Sequence, residues 1–339
     1  MWAAVIRRFG DPEVLAIEEI PRPEIETDEM LVRVGACGVC GHDLLARAGK
    51  LGGALPRVLG HEIAGTVERV GASVHAFAPG DRVVLGQRRA CGKCSACRRG
   101  HPNHCTSGPG FYGEQLQGGY AEYVVAGPEN TVRLPPDISD VTAAAIPCGV
   151  ATPLHAIRRL GLSMGETVAI VGAGGGVGVH AVSIAALCGA RVIAVTHRPD
   201  KVAKLQDRGA YAVVAGDAGE IVSAVRSVAG GPVDAVVDCA GVTLNASLRM
   251  LRHGGRLVLL GNIDPRAIGL EAGLLILKEI ELLGSSHGTP DELALAVELV
   301  RSGQVVPVVA ATLPLAEAPE AHRVVSSGAP VGRMVLTLH

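Results

Sequence analysis

Aromatic side chains are scarce: Phe, Tyr and Trp make up 2% of the 339 residues, with a single Trp. Val, Ala, Leu and Ile must therefore do the packing, and few rings are available to stack nucleic-acid bases. An excess of one charge is also missing. The 31 Lys+Arg and 33 Asp+Glu leave a net charge of −2 with no long run of either sign, so neither nucleic acid nor an anionic membrane is expected as a partner. Nor is there a spanning segment. The most apolar stretch, Val168 to Val195, is broken by a glycine turn, His180 and Arg191, which argues against membrane insertion. The amino terminus, MWAAVIRRFGDPEVL, lacks the apolar core of a signal peptide and reads as a strand, so the expected location is the cytoplasm.

What is present describes a well-buried globular chain. The hydrophobic fraction is 48% and the charged fraction 19%, and the length allows two domains with separate cores. Nine cysteines in a cytosolic chain point to metal or chemistry before disulfides. In the first third, MWAAVIRR, LVRVGA, IAGTVERVG and DRVVLG alternate or run β-branched between Gly and Pro breaks, predicting a β-rich domain with many loops. From about Ala151 the pattern changes to apolar strand, glycine turn, helix and strand, repeated through ETVAIVGAGGGVG, ARVIAVT, AYAVVAG, VDAVVDCAG and GRLVLLGN. The fold class is α/β, with a doubly wound parallel sheet in this second part. After about Ser286 one helix, DELALAVELVRSG, precedes strand and turn patterns ending in GRMVLTLH, and this tail is expected to rejoin the first domain. The boundaries are placed at 1–150 with 289–339, and at 151–288. There is no low-complexity linker and no internal repeat outside the βαβ alternation.

Three stretches carry chemistry. The first, CGVCGHDLLARAGKLGGALPRVLGHE from Cys37 to Glu62, holds Cys40, His42, Asp43, His61 and Glu62, the groups a catalytic zinc takes as ligands and as ligand partners. Alone it does not choose among them. The second, CGKCSACRRGHPNHC, spaces Cys91, Cys94, Cys97 and Cys105 as C-x2-C-x2-C-x7-C, which lets one loop wrap four thiolates around a structural zinc with no position left for substrate. Lys93, Arg98 and Arg99 are placed to offset the negative charge of that site. An iron-sulfur cluster uses similar spacing; a zinc-ribbon nucleic-acid module and plain core cysteines are weaker readings. The third, VAIVGAGGGVGVHAVSIAALCGARVIAVT, sets Gly172, Gly174, Gly175, Gly176, Val177 and Gly178 between an apolar strand and an apolar helix, where missing Cβ atoms admit a pyrophosphate. At the end of the next strand stand Thr196, His197 and Arg198, where an NAD site would offer Asp or Glu. With no acid to repel a 2′-phosphate there, NADP(H) is expected over NAD(H).

With CGVCGHD, GHE, the four-cysteine loop, GGYAEY at Gly118 to Tyr123, PCGVAT and the glycine turn, the chain resembles the zinc-dependent medium-chain dehydrogenases/reductases over essentially its whole length. The resemblance implies a GroES-like catalytic domain made from both chain ends and a Rossmann domain inserted between them. It implies two zincs per chain, the catalytic one in the interdomain cleft on residues matching Cys40, His61 and Cys148, with Glu62 the neighbour that in some members approaches the metal. Asp43 matches the carboxylate that orients the ligand imidazole. Thr152 matches a residue that packs on the nicotinamide, and Arg333 a basic residue near the cofactor phosphates. Cys37 falls off the metal; Cys188 and Cys239 read as core packing.

Two thiolates and a neutral imidazole cancel the zinc charge and leave a position open for water, alkoxide or carbonyl, while nicotinamide C4 gives or takes hydride. One position departs from the family. His42 stands where alcohol dehydrogenases place Ser or Thr, and an imidazole there can serve as the acid/base or turn away from the site. The glycine turn, GRLVLLGNIDP and LLILKEIELLGSS also resemble the zinc-containing branch with acryloyl-CoA reductases. The expected function is therefore an NADP(H)-linked zinc oxidoreductase of an alcohol/aldehyde or ketone. The alternatives are an NADPH-dependent reductase of activated C=C bonds and a non-catalytic nucleotide-binding protein. The expected partner is a small-molecule substrate, and the strand near Leu282-Leu283-Gly284 suits edge pairing in a homodimer or homotetramer.

Overall fold

The computed structural model describes residues 1–217 and 219–338. The chain divides into two compact units, the first formed by Met1–Ala151, His287–Gly303 and the chain from Val309 onward, the second by Thr152–Ser286 and Gln304–Val308.

In the first unit the long strand Met30–Val39 sits at the middle of a seven-stranded sheet. Apart from Arg33 its residues carry no charge or polar side chain, and most are buried, because strands pair on both edges and side chains pack on both faces. It runs antiparallel to Glu62–Val70, Arg333–Thr337 and Tyr123–Ala126. The register sets Gly38 opposite Glu62 and Val39 opposite Met334. Strand ends bearing Cys40, Glu62 and Arg333 therefore lie side by side, although 293 residue positions separate the first from the last. Gly38 is required there, since a Cβ would lie 2.4 Å from Glu62 Oε2. With so few rings in the chain, the aliphatic side chains fill the core around two large buried ones, Tyr112 and Tyr120.

The second unit is the doubly wound sheet expected from the alternating texture. Its six strands are all parallel, in the order Ala212–Ala215, Arg191–Thr196, Thr167–Val171, Val233–Asp238, Leu251–Leu259 and Glu281–Gly284. The order reverses at Thr167–Val171, and the glycine turn follows that strand, which is where such sheets bind dinucleotides.

Gln304–Val308 belongs to the second unit, an excursion that the helix-then-strand pattern of the tail does not reveal. Val308 N–H donates to His180 Nε2 at 2.8 Å, and Arg208 Nη1 donates to the Val306 carbonyl at 3.3 Å. The tail helix Pro290–Arg301 starts on a reciprocal cap, Glu292 N–H to Thr289 Oγ1 and Thr289 N–H to Glu292 Oε2. Among the described residues no helix is long and apolar enough to cross a membrane.

Candidate metal and cofactor sites

Cys40 sits at the amino end of the short helix Gly41–Arg47, where its thiol faces inward and its backbone N–H is taken by Asp43 Oδ2 at 2.9 Å. His61 precedes the strand Glu62–Val70 and is set by Gly60, whose φ of +95° favours glycine. A Cβ on Gly60 would also lie 2.5 Å from the Tyr120 ring and 2.8 Å from Cys37 Sγ. Cys37 thus packs beneath the turn and contributes no donor. Cys148 lies in the wide helical turn Ile146–Ala151, buried on every residue. These elements bring one donor atom each from Cys40, His61, Glu62 and Cys148 within 4.8 Å of one another.

The donor set fits a metal. Cys40 Sγ and Cys148 Sγ are 3.8 Å apart, matching the edge of about 3.8 Å in a tetrahedron with Zn–S bonds of about 2.3 Å. Asp43 Oδ1 holds His61 Nδ1 at 3.1 Å, so Nε2 is the nitrogen left for a metal. Both carboxylate oxygens of Glu62 are buried without a hydrogen-bond donor among the described residues. Their compensation is Coulombic: Arg333 Nη2 lies 3.1 Å from Glu62 Oε1 and His61 Nε2 3.9 Å away. Arg333 thus lies beside the Glu62 carboxylate, 4% exposed.

Charge in this pocket is strongly coupled. The hydrogen bond with Cys148 lowers the Cys40 thiol well below its usual range, against burial, with Arg333 and His61 assisting. That same bond, with burial, raises Cys148. Burial disfavours a charged His61, but Asp43 and Cys40 outweigh it and hold the imidazole well above its usual value. Burial pushes Glu62 up to about 8 against the pull of Arg333. Only one sulfur is thus readily ionised by the protein alone, and a dication is the natural means of ionising both.

His42 lies beside this pocket, its ring edge-on to His61 at 5.4 Å and 5.4 Å from Phe111. Its Nε2 is 2.7 Å from Glu114 Oε1, a partner that nothing in the sequence marks. Phe111 also meets His61 at 5.1 Å and His287 at 5.5 Å, making an aromatic wall.

The four-cysteine loop closes on itself. Sγ separations are 3.4 Å for Cys94–Cys97, 3.8 Å for Cys94–Cys105 and 3.5 Å for Cys91–Cys105, again tetrahedral edges and far from disulfide bonds. Cys91 N–H points at Cys105 Sγ and Cys94 N–H at Cys91 Sγ, both at 3.3 Å. Lys93, Arg98 and Arg99 are exposed on the same loop.

In the second unit, Gly172 takes φ +77° at the turn, and a Cβ on Gly178 would lie 2.2 Å from the Gly172 carbonyl, so strand and helix meet closely there. Gly174, Gly175, Gly176 and Val177 precede the helix Gly178–Leu187, whose N-terminus suits a pyrophosphate. Thr196 is buried at the next strand end, His197 is exposed, and Arg198 is bound to Asp200 through two hydrogen bonds of 3.0 and 3.2 Å. Sequence reasoning missed Lys201. It is 3% exposed and its ammonium donates to the Gly174 carbonyl at 3.0 Å. Thr152, also buried, opens the helix Thr152–Leu160.

Comparison with known proteins places this geometry among relatives. Residues 26–136 match the family model of the alcohol dehydrogenase GroES-like domain, and residues 176–302 that of the zinc-binding dehydrogenases. The acryloyl-coenzyme A reductase of Metallosphaera sedula is 34% identical, covering 99% of this chain and 100% of the relative. The NAD-dependent alcohol dehydrogenase of Sulfurisphaera tokodaii is 33% identical, covering 99% of each. The crystal structure of AibC superposes with a TM-score of 0.93 at 40% identity, covering 99% of this chain and 95% of that one.

Proposed function

The chain belongs to the zinc-dependent medium-chain dehydrogenases/reductases, and from that premise we propose that it transfers hydride reversibly between NADP(H) and an alcohol/aldehyde or ketone. The observation that carries this reading is the buried convergence of Cys40, His61 and Cys148. These three residues would hold the ion, with Glu62 paired to Arg333 beside them. A zinc ion there supplies a Lewis acid for the substrate oxygen. The nicotinamide supplies the hydride donor or acceptor at C4.

The remaining work falls to side chains. Asp43 fixes the His61 tautomer and ring plane, so the imidazole keeps its Nε2 lone pair aimed inward. Arg333 offsets the negative charge of Glu62 and the thiolates. His42 donates Nε2–H to Glu114, which orients the ring, and takes the hydroxyl proton at Nδ1 during alcohol oxidation or returns it during reduction. Gly174, Gly175, Gly176 and Val177 accept the pyrophosphate, Thr152 backs the nicotinamide, and Thr196, His197, Arg198 and Lys201 bind the ribose 2′-phosphate. Support for NADP(H) is the missing acid at Thr196 together with the Lys201 ammonium beside the turn.

A second reading is favoured by the full-length similarity to an acryloyl-coenzyme A reductase: hydride delivered from NADPH to the β-carbon of a conjugated carbonyl, with a proton added at the α-carbon. The substrate panel that separates them contains alcohols, aldehydes, enones and enoyl thioesters with either nicotinamide. Reversible, chelator-sensitive alcohol oxidation supports the first reading. NADPH consumption confined to conjugated substrates overturns it for the second.

A further inference from the structure

The Asp43 carboxylate is 1% exposed and gathers four donors from three parts of the chain. Cys40 N–H reaches Oδ2 at 2.9 Å, Gly60 N–H reaches Oδ1 at 3.2 Å, His61 Nδ1 reaches Oδ1 at 3.1 Å, and Tyr120 Oη reaches Oδ2 at 3.3 Å. The first three belong to the metal-binding segments themselves. Tyr120 does not, and it leads on to a further residue, for its Oη lies 3.2 Å from His322 Nε2 on the helix Ala318–Ser326.

Counting protons fixes the direction of this chain. An ionised carboxylate only accepts, so the single phenolic hydrogen of Tyr120 is committed to Asp43. The Tyr120 oxygen must then accept, and His322 must donate from Nε2. His322 Nδ1 is left as a bare lone pair, consistent with its being buried with no partner among the described residues. The order is His322 Nε2–H to Tyr120 O–H to Asp43, met from the other side by His61 Nδ1–H. Every hydrogen points toward Asp43, so each bond polarises the next in the same sense. The electrostatics agree: burial and the neighbouring Asp43 push the Tyr120 phenol well above its usual range, so it keeps its proton. Despite burial, His61 holds Asp43 below the usual carboxylate range.

We infer that Tyr120 and His322 are positioning residues of the metal centre, holding the Asp43 carboxylate and through it the His61 ring and the Cys40 turn. Neither belongs to the donor set, and their geometry decides how firmly His61 Nε2 is aimed. The inference rests on the reading that Cys40, His61 and Cys148 hold an ion.

The test uses the full chain loaded with zinc or with cobalt(II), in the unaltered protein and in Tyr120→Phe, His322→Ala and His322→Gln. Release of each metal to a chelator is followed, with the four-cysteine site as the internal reference, together with the cobalt absorption bands. Tyr120→Phe and His322→Ala are expected to release the metal at Cys40, His61 and Cys148 about tenfold faster, the lower end of what loss of a direct ligand partner does. The cobalt bands of that site shift, the four-cysteine site releases at the native rate, and His322→Gln, which keeps an N–H donor near the Nε2 position, restores native release. Tyr120→Phe removes one oxygen and carries the comparison if His322→Ala does not fold. Native release and native bands in Tyr120→Phe overturn the inference, as does equal loosening of both sites. An unaltered protein that binds one metal ion per chain overturns the metal reading itself, and the inference with it.

Discussion

Arg333 Nη2 lies 3.1 Å from Glu62 Oε1, and both side chains are buried, 5% and 0% exposed. The pair joins the strand Glu62–Val70 to the last strand, Arg333–Thr337, across Met30–Val39. Removing one member of a buried pair leaves the other uncompensated, at a cost of about 3–5 kcal/mol. Arg333→Met is expected to lower the unfolding free energy by that amount, and the double change Arg333→Met with Glu62→Gln to recover most of it. Chemical denaturation above pH 8, where Glu62 is ionised, checks both.

His322 gives a pH dependence of stability. Burial, with Arg47 adding to it and Asp43 opposing, lowers this imidazole to about 4 from 6.5. Between those values the unfolded chain binds a proton that the folded chain refuses, so stability is full above about pH 6.5 and falls as pH drops toward 4. The loss from this residue is roughly 3 kcal/mol. His322→Gln cannot titrate and should flatten that part of the stability curve, measured by urea midpoints at a series of pH values.

His42 is the side chain on which the proton step rests. Positioned acid/base groups contribute about 10²–10⁴-fold, so His42→Ala should lower kcat for alcohol oxidation by at least about 10²-fold with zinc content unchanged. Glu114→Gln, which loosens the orientation of the ring, should lose less. Native turnover in His42→Ala would remove His42 from the mechanism.

At the nucleotide turn, Lys201→Met should raise KM for NADPH about tenfold while changing KM for NADH little, because a charge-assisted contact to the 2′-phosphate is lost from one cofactor only. Equal effects on both cofactors would mean that Lys201 serves only the turn around Gly174.

The glycine turn, the four-cysteine loop and the parallel sheet were legible because each is written in a contiguous stretch, where spacing and hydrophobic period carry the information. What the sequence hid depends on register and tertiary approach. Arg333 enters the sequence only as a match to a basic residue near the cofactor phosphates, and the pairing of Val39 with Met334 is what carries it to Glu62. Glu114 meets His42 across 72 positions and His322 meets Tyr120 across 202, distances over which no local pattern operates. Tyr120 lies within GGYAEY, a motif that carries no sign of its hydroxyl contacts to Asp43 and His322. Lys201 was closer at hand: five residues beyond Thr196, one helical turn past the strand end, a cation is a natural neighbour of the glycine turn.

The central claim is that Cys40, His61 and Cys148 hold a metal ion on which turnover depends. It is tested most directly by metal content and turnover of Cys148→Ser beside the unaltered protein. Two zinc ions per chain in the unaltered protein, one in Cys148→Ser, and turnover reduced at least about 10³-fold with the fold intact is the predicted result. Undiminished turnover in Cys148→Ser would contradict the account.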